Sequence, residues 1–402
     1  MIDVNKAARI VLRHKIGLGS SRIDYISSLG KVLDESIIAD RDIPAFNRVT
    51  MDGVAISYKD FVATNKGTFK ITGIQAAGAL PLKIKNAGEC IQIMTGAALD
   101  KTLDTVVRIE DVIIKGGLAT IAVRNISKGQ FVHVKGSDKL QGSVLADPGQ
   151  IITSDLLATM ASIGKTSVHV VSPPRIAIIT SGDELIDPDK TVNDYQIRRS
   201  NDLAIYGLLC SYGVEAEMIH VPDDEKLIMQ NIKKVLNTFD AVITVGGVSK
   251  GEYDYVQTAL AKLGATKYFH GVEQKPGKPL WFGSLKDKPI FGLPGNPVSV
   301  YISMVRYVIP WLELSLGVKP RHIITAILDQ DVSINPALTH FVLVKTYLDA
   351  SACLRAKPVA NNTSGDYTSI SSANAFIELP AGHPVYKQNG LHRLWLYKNE
   401  TI

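Results

Sequence analysis

Cysteine is scarce. Cys90, Cys210 and Cys353 are the three in 402 residues, far apart and odd in number. That pattern excludes a disulfide framework and a zinc knuckle. The nine histidines form no HExxH or HxH group, so no histidine-built metal site announces itself. No run of Lys or Arg exceeds a pair, and the net charge of +5 is spread along the chain. A nucleic-acid tail is therefore not expected, while a basic cleft for a small anion is. No apolar run reaches the roughly 20 residues of a bilayer span, and no leader peptide opens the chain. The expectation is a cytoplasmic protein that binds neither membrane nor nucleic acid. Tandem repeats and low-complexity tracts are missing as well. What is present is 46% hydrophobic and 21% charged, in a length that suits two to four domains.

Residues 1 to about 40 carry helical patterning, with Ile10, Val11, Ile26 and Leu29 as apolar marks and Gly30 as a stop. From Asp42 to about Leu145 short β-rich runs alternate with glycine turns, which predicts a small all-β module. SDLLATMASI (154–163) reads as a helix capped by Ser154 and ended by Gly164. After Pro173-Pro174, strands and helices alternate. RIAIIT, AVITV and PIFGL are strands, whereas 200–213, 223–239 and 297–309 are helices, the last with Pro297 as its first residue. Such alternation predicts a doubly wound parallel α/β domain. A last β-rich module follows from about Pro320.

The stretch TVGGVSKGEYDYVQ (244–257) turns from a strand into a helix. At Gly246, Gly247 and Ser249 the backbone N–H groups can approach an anion, which missing Cβ atoms and a helix N-terminus favour. Asp254 repels a phosphate there unless Mg²⁺ bridges the two. Its other reading is a plain helix cap. Three further polar segments fall after strands of the same predicted sheet. TSGDEL supplies Asp183 and Glu184, LPGNPVS supplies Pro294, Gly295, Asn296 and Pro297, and Asp223-Asp224 begin a helix. KPGKP puts Lys275 and Lys278 on a stiff loop able to balance phosphate charge. Their convergence on one sheet edge predicts a site. The β module adds tight turns at Asp52-Gly53, Thr95-Gly96 and Gly136-Ser137-Asp138, which taken singly are ordinary β-turns.

MDGVAI (51–56), MTGAAL (94–99), GSD (136–138), SGDEL (181–185), GGVSKGEYDY (246–255), KPGKP (275–279) and LPGNPVS (293–299) occur in that order. Together they resemble the molybdopterin molybdenumtransferase family, the MoeA family that includes the terminal enzyme domain of gephyrin. The resemblance spans nearly the whole chain. It implies a multidomain α/β protein, with a MoaB/MogA-like doubly wound domain over 173–318 and an inserted β-rich domain over 42–145. An elongated N-terminal domain built from 1–41 and 146–172 and a barrel-like C-terminal β module over 319–402 complete it.

The implied activity is insertion of molybdate into adenylylated molybdopterin, with Mg²⁺-dependent release of AMP. A homodimer is implied, with a pterin adenylyltransferase as a further partner. Carried over residue by residue, Asp52, Asp138, Glu184, Asp254, Lys275 and Lys278 are catalytic, and Asp254 with Glu184 holds the metal. Thr95, Asp223, Gly246, Gly247, Ser249, Gly251, Pro294, Gly295, Asn296, Pro297 and Ser364 bind substrate.

Four places depart from the family pattern. Val54 follows MDG where an aromatic is common, and 100–104 (DKTLD) replaces Pro-x-Gly-Ala-Asp. His270-Gly271 stands where many members carry a lysine. In Phe341-Val342-Leu343 the position of a molybdate-binding arginine holds a leucine. Lys345 follows two residues later, on the same side of a regular strand. It either compensates for the arginine or is a solvated lysine. The α/β region alone also resembles pterin adenylyltransferases, and Leu343 admits a pterin-binding scaffold. The β module and the many poised acids favour the transferase.

Overall fold

The computed structural model describes residues 1–63, 67–247, 255–319, 323–360 and 365–398. Two compact units divide it. Met1–Asp34, Pro148–Thr153 and Ser167–Ile402 form the first, and Glu35–Asp147 with Ser154–Thr166 the second.

In the first unit a six-stranded sheet runs in the order Ala216–Val221, Ile176–Ser181, Ala241–Val245, Lys288–Leu293, Trp281–Leu285, Thr266–His270. The first four strands are parallel, and Trp281–Leu285 is antiparallel to both its neighbours. Burial alternates with the period of a strand. Ile176 and Ile178 pack on one face with Ile205 and Leu209 of helix Asn201–Cys210. Ala177 and Ile179 pack on the other with Ile228, Ile232 and Val235 of Glu225–Val235 and Leu260 of Tyr255–Lys262. Helices on both faces explain why RIAIIT and AVITV carry no polar alternation. Ile176–Ser181 is first in the chain yet second in the sheet. The strand after it lies on one side, and Ala241–Val245 on the other. The order thus reverses between Ile176–Ser181 and Ala241–Val245, which is where an open α/β sheet leaves a crevice at its carboxyl edge.

The helix begun by Pro297 is longer than its first segment. Pro297–Ser303 passes through a π turn, Met304–Val308, into Ile309–Ser315. Pro310 has no N–H to donate four residues back, and Ile309 instead donates to the Met304 carbonyl five residues back. The N-terminal α-helix is Val4–Arg13, where Val4, Ala7, Ala8 and Val11 form the buried stripe, and the later helical patterning amounts to one 3-10 turn, Ile26–Ser28, ahead of Gly30 with φ +77°. Ser20–Asp24 is a strand paired with Ser167–Val171. Ile26 and Leu29 are 66% and 56% exposed, so they mark no apolar face.

The last module closes into a five-stranded barrel: Thr339–Leu348, Leu354–Pro358, Thr325–Leu328, Leu391–Leu396, Ala375–Leu379, and back to Thr339–Leu348. Val344, Ala356, Ala326, Ala375, Ile377 and Leu394 fill it. Residues of opposite parity, Phe341, Leu343 and Phe376, join the core of the α/β sheet instead.

The second unit holds a sheet in the order Thr105–Arg108, Gly53–Ile56, Glu89–Ile93, Thr68–Gln75, Leu118–Ile121, Val112–Lys115. Gly53 lies against the next strand so closely that a Cβ there would stand 1.9 Å from the Val107 carbonyl oxygen. The glycine of MDG is thus a packing requirement. Among the described residues no helix is long and apolar enough to cross a membrane.

Candidate functional site

Three turns meet at the carboxyl edge beside the strand-order reversal. Gly246, with φ +87°, donates its N–H to the Leu293 carbonyl at 3.1 Å. A Cβ on Gly246 would come within 3.2 Å of the Ser181 carbonyl oxygen, and one on Gly295 within 4.0 Å of the Gly246 Cα. Gly247 has φ +61°, and a Cβ there would strike Val256 at 2.7 Å. Gly246, Gly247 and Gly295 therefore let the ends of Ile176–Ser181, Ala241–Val245 and Lys288–Leu293 crowd together, leaving backbone rather than side chains at the edge. Asn296 caps Pro297–Ser303 with its backbone and Pro297 opens that helix, as the sequence predicts. Pro294 is buried and Gly295 exposed. Ser249, Gly251 and Asp254 lie outside the described residues, as does Ser364.

Acids gather at the same edge. Glu184 folds its carboxylate back over Gly182, where a Cβ would meet its oxygens at 2.7 and 2.9 Å. Asp183 Oδ1 accepts the Asp223 N–H at 3.2 Å. Burial raises the Asp223 carboxyl above its ordinary range, and the charges of Glu184 and then Asp183 add to that. Asp224 takes the plain role, accepting from the Leu227 N–H at 2.9 Å as a helix cap. This division between neighbours is what TSGDEL and VPDDE could not show. Among the described residues no group of three or more His, Cys, Asp or Glu is already arranged as a metal site.

Thr266–His270 runs parallel to Lys288–Leu293 through the intervening antiparallel strand. Its following loop, residues 271–280, therefore leaves the same edge of the sheet and presents exposed Lys275 and Lys278. Gln274–Lys275 adds a short parallel rung to the barrel strand at Thr339–His340. His340, beside Lys275, is held below its ordinary pKa by burial and by that lysine's charge. The PGNP turn is tied to the barrel module too. Asn201 Nδ2 donates to the Gly295 carbonyl at 2.6 Å, and Tyr367 Oη donates to Asn201 Oδ1 at 3.0 Å. Leu343 is buried at 2% exposure, and Lys345, of the same parity, is exposed.

In the second unit Asp52 and Thr95 come together. Asp52 Oδ1 accepts the Thr95 N–H and hydroxyl, each at 2.7 Å, which holds its carboxyl below the usual range. Asp138 is held separately. His133 Nε2 lies 2.8 Å from its Oδ1, and Arg48 Nη2 lies 3.2 Å from His133 Nδ1. Arginine can only donate, so Nδ1 accepts and Nε2 carries the proton given to Asp138. His133 is a contact that the GSD motif does not announce. The antiparallel pairing of Val132–His133 with Arg48–Val49 creates it.

Fold and site together define an α/β protein with a strand-order reversal in an open sheet, acids beside it and a lysine loop farther along the same edge. Residues 2–164 match the family described as MoeA N-terminal region (domain I and II). Residues 177–314 match the probable molybdopterin binding domain, and 325–389 the MoeA C-terminal region (domain IV). A molybdopterin molybdenumtransferase of Synechocystis sp. is 36% identical over 387 residues, covering 94% of this chain and 96% of the relative. Its namesake in Staphylococcus epidermidis is 31% identical over 397 residues, covering 97% and 94%. The crystal structure of a molybdopterin biosynthesis MoeA protein from Pyrococcus horikosii superposes with a TM-score of 0.84 at 28% identity, covering 100% of both chains. The chain belongs to the MoeA family of molybdenum cofactor biosynthesis enzymes.

Proposed function

We propose that the protein is a molybdopterin molybdenumtransferase, acting on adenylylated molybdopterin and molybdate with release of AMP. The observation that carries this reading is that three glycine-containing turns meet at one edge of one sheet, with an acid group beside them and a two-lysine loop leaving the same edge. Backbone N–H groups and lysines suit phosphate and molybdate oxygens. In the cleavage, water forms a new P–O bond at the pterin-side phosphorus of the pyrophosphate link while the bond from that phosphorus to the bridging oxygen breaks, and the proton lost by the water passes to solvent. AMP leaves with the bridging electron pair. Lys275 and Lys278 offset the charge that gathers on the phosphate and molybdate oxygens.

A hard divalent cation fits the acid group. Asp223 is raised first by burial and then by the charges of Glu184 and Asp183, and oxygen donors are the ligands Mg²⁺ takes. Glu184, with Asp254, is the pair that would hold it, and the cation would polarise a pyrophosphate oxygen. A cytoplasmic homodimer, with Asp52 and Asp138 contributing to catalysis and Thr95 to substrate binding, belongs to the same reading.

Purified protein given adenylylated molybdopterin, molybdate and Mg²⁺ is expected to release AMP stoichiometrically and to yield molybdenum-loaded pterin. Tight pterin binding without AMP release would instead identify the non-enzymatic scaffold that Leu343 allows. Formation of the adenylate from ATP would identify an adenylyltransferase.

A second expectation concerns Asp223 alone. Its carboxyl, followed by carbon-detected NMR, is expected to titrate above the ordinary Asp range without Mg²⁺ and to move down when Mg²⁺ is added. A position that ignores Mg²⁺ would remove the cation from this edge.

A further inference from the structure

We propose that Gln274 is a positioning residue that sets Lys275 and Lys278 for the anionic substrate, through a buried clamp completed by Tyr307. The inference rests on the function proposed above. The loop bearing the lysines is closed at its base by two backbone bonds. Gly271 N–H donates to the Leu280 carbonyl at 2.9 Å, and Val272 N–H to the Lys278 carbonyl at 2.8 Å. The Gln274 side chain fills the space within. The residue is 0% exposed, and its Nε2 stands 3.1 Å from the Pro276 carbonyl and 3.3 Å from that of Gly277. A carboxamide nitrogen has two hydrogens to give, and both are taken up by the two peptides that lie between the lysines.

The oxygen end of that amide is held from behind. The Tyr307 hydroxyl donates to Gln274 Oε1. Flipped, the amide oxygen would face the Pro276 and Gly277 carbonyls, which have no hydrogen to give, so those two acceptors forbid the flipped arrangement and the Tyr307 bond holds the oxygen in place. Tyr307 is 1% exposed, and burial holds its phenol far above the ordinary range, so it is a donor at every working pH. It stands in the π turn, whose residues are all buried. Gly277 is shaped to the clamp as well. With φ +85° it has no Cβ, and one placed there would lie 2.8 Å from Gln274 Nε2.

The lysines themselves are long, flexible and exposed. What can be fixed in advance is the backbone from which they start. Misplacing a binding group by about 1 Å can cost roughly a hundredfold in rate. A buried clamp with every polar group satisfied is the means of avoiding that loss.

Gln274→Met keeps the side-chain volume and removes both donors, whereas Tyr307→Phe removes only the orienting bond. In the AMP-release reaction Gln274→Met is expected to raise the half-saturating molybdate concentration about tenfold or more, with a smaller change in kcat. Tyr307→Phe is expected to raise it about threefold. In a background lacking both lysines (Lys275→Ala, Lys278→Ala), Gln274→Met should add little further, because the clamp acts through those two side chains. Additive effects, or unchanged half-saturation in both clamp variants, would overturn the proposal by showing that the clamp serves stability alone. Should Gln274→Met not fold, Tyr307→Phe alone decides.

Absence of AMP release from wild-type protein refutes the function instead. The clamp is then judged by mass spectrometry of acetylation rates in wild type and Tyr307→Phe. A change confined to Lys275 and Lys278 supports it, and unchanged rates sink it.

Discussion

Replacing Glu378 by alanine is expected to cost about 3–5 kcal/mol of stability, because it strands a buried guanidinium. Arg306 is 4% exposed and Glu378 8%. Arg306 Nε and Glu378 Oε2 are 3.5 Å apart, an ion pair but not a well-made hydrogen bond. Among the described residues Arg306 also makes a 3.0 Å donation from Nη2 to Asn5 Oδ1 and lies over the faces of Trp395 and Tyr307 at 4.6 and 5.5 Å. None of these carries a compensating charge. Trp395 also loses the acceptor of its indole N–H, now 2.7 Å from Glu378 Oε2. Coulomb attraction at this geometry hardly exceeds the cost of desolvating both ions, so removing both is milder than removing one. The double variant Arg306→Met, Glu378→Leu should therefore recover most of the lost Tm. Equal losses in the single and double variants would show that shape, not charge, is what the pair supplies.

Gly53→Ala is expected to destabilise the second unit by about 3 kcal/mol or more, at the upper end of overpacking costs. The added methyl would stand 1.9 Å from the Val107 oxygen and 2.8 Å from its carbon, both backbone atoms of the strand paired with Gly53–Ile56. Neither can rotate away, so the two strands must part. Gly207→Ala serves as the control. It lies in helix Asn201–Cys210, has nothing within 4 Å of its prospective Cβ, and should gain roughly 0.5–1 kcal/mol. Calorimetry should show the lowest-temperature transition of Gly53→Ala fall by roughly 10 °C or more. A wild-type melting profile would mean that the strands separate at little cost.

The sheet was legible where each strand is a short, fully apolar run bounded by glycine or polar turns, as in RIAIIT, AVITV and PIFGL. Thr266–His270 and Trp281–Leu285 were not. TKYFH begins with exposed polar residues, and WFGSL is interrupted by Gly283, which is needed because a Cβ there would lie 2.3 Å from the Thr266 carbonyl. Barrel closure was hidden for another reason. It depends on pairing Thr339–Leu348 with Ala375–Leu379, and no local pattern records a partner so far along the chain.

At the site, the glycines and acids could be named from sequence because their residue types are unusual directly after strands. His133, Gln274 and Tyr307 could not. Each acts through a contact set by tertiary packing, and singly each passes for a strand or core residue. Leu343 shows the reverse. A position expected to carry an arginine proves to be filled by the hydrophobic core, with Phe376 and Ile370 in the same cluster.

The rung between Gln274–Lys275 and Thr339–His340 limits how the molecule can be divided. Glu273 also accepts the Thr339 N–H at 3.0 Å, so the lysine loop is edge-bonded to a strand encoded some sixty residues later. A fragment ending before the barrel would leave those groups unpaired. It would also bare the apolar surface against which Phe341, Leu343 and Phe376 now rest. An excised α/β module is therefore expected to be sticky and to have its lysines out of place. Grafting this sheet edge elsewhere requires carrying the barrel with it.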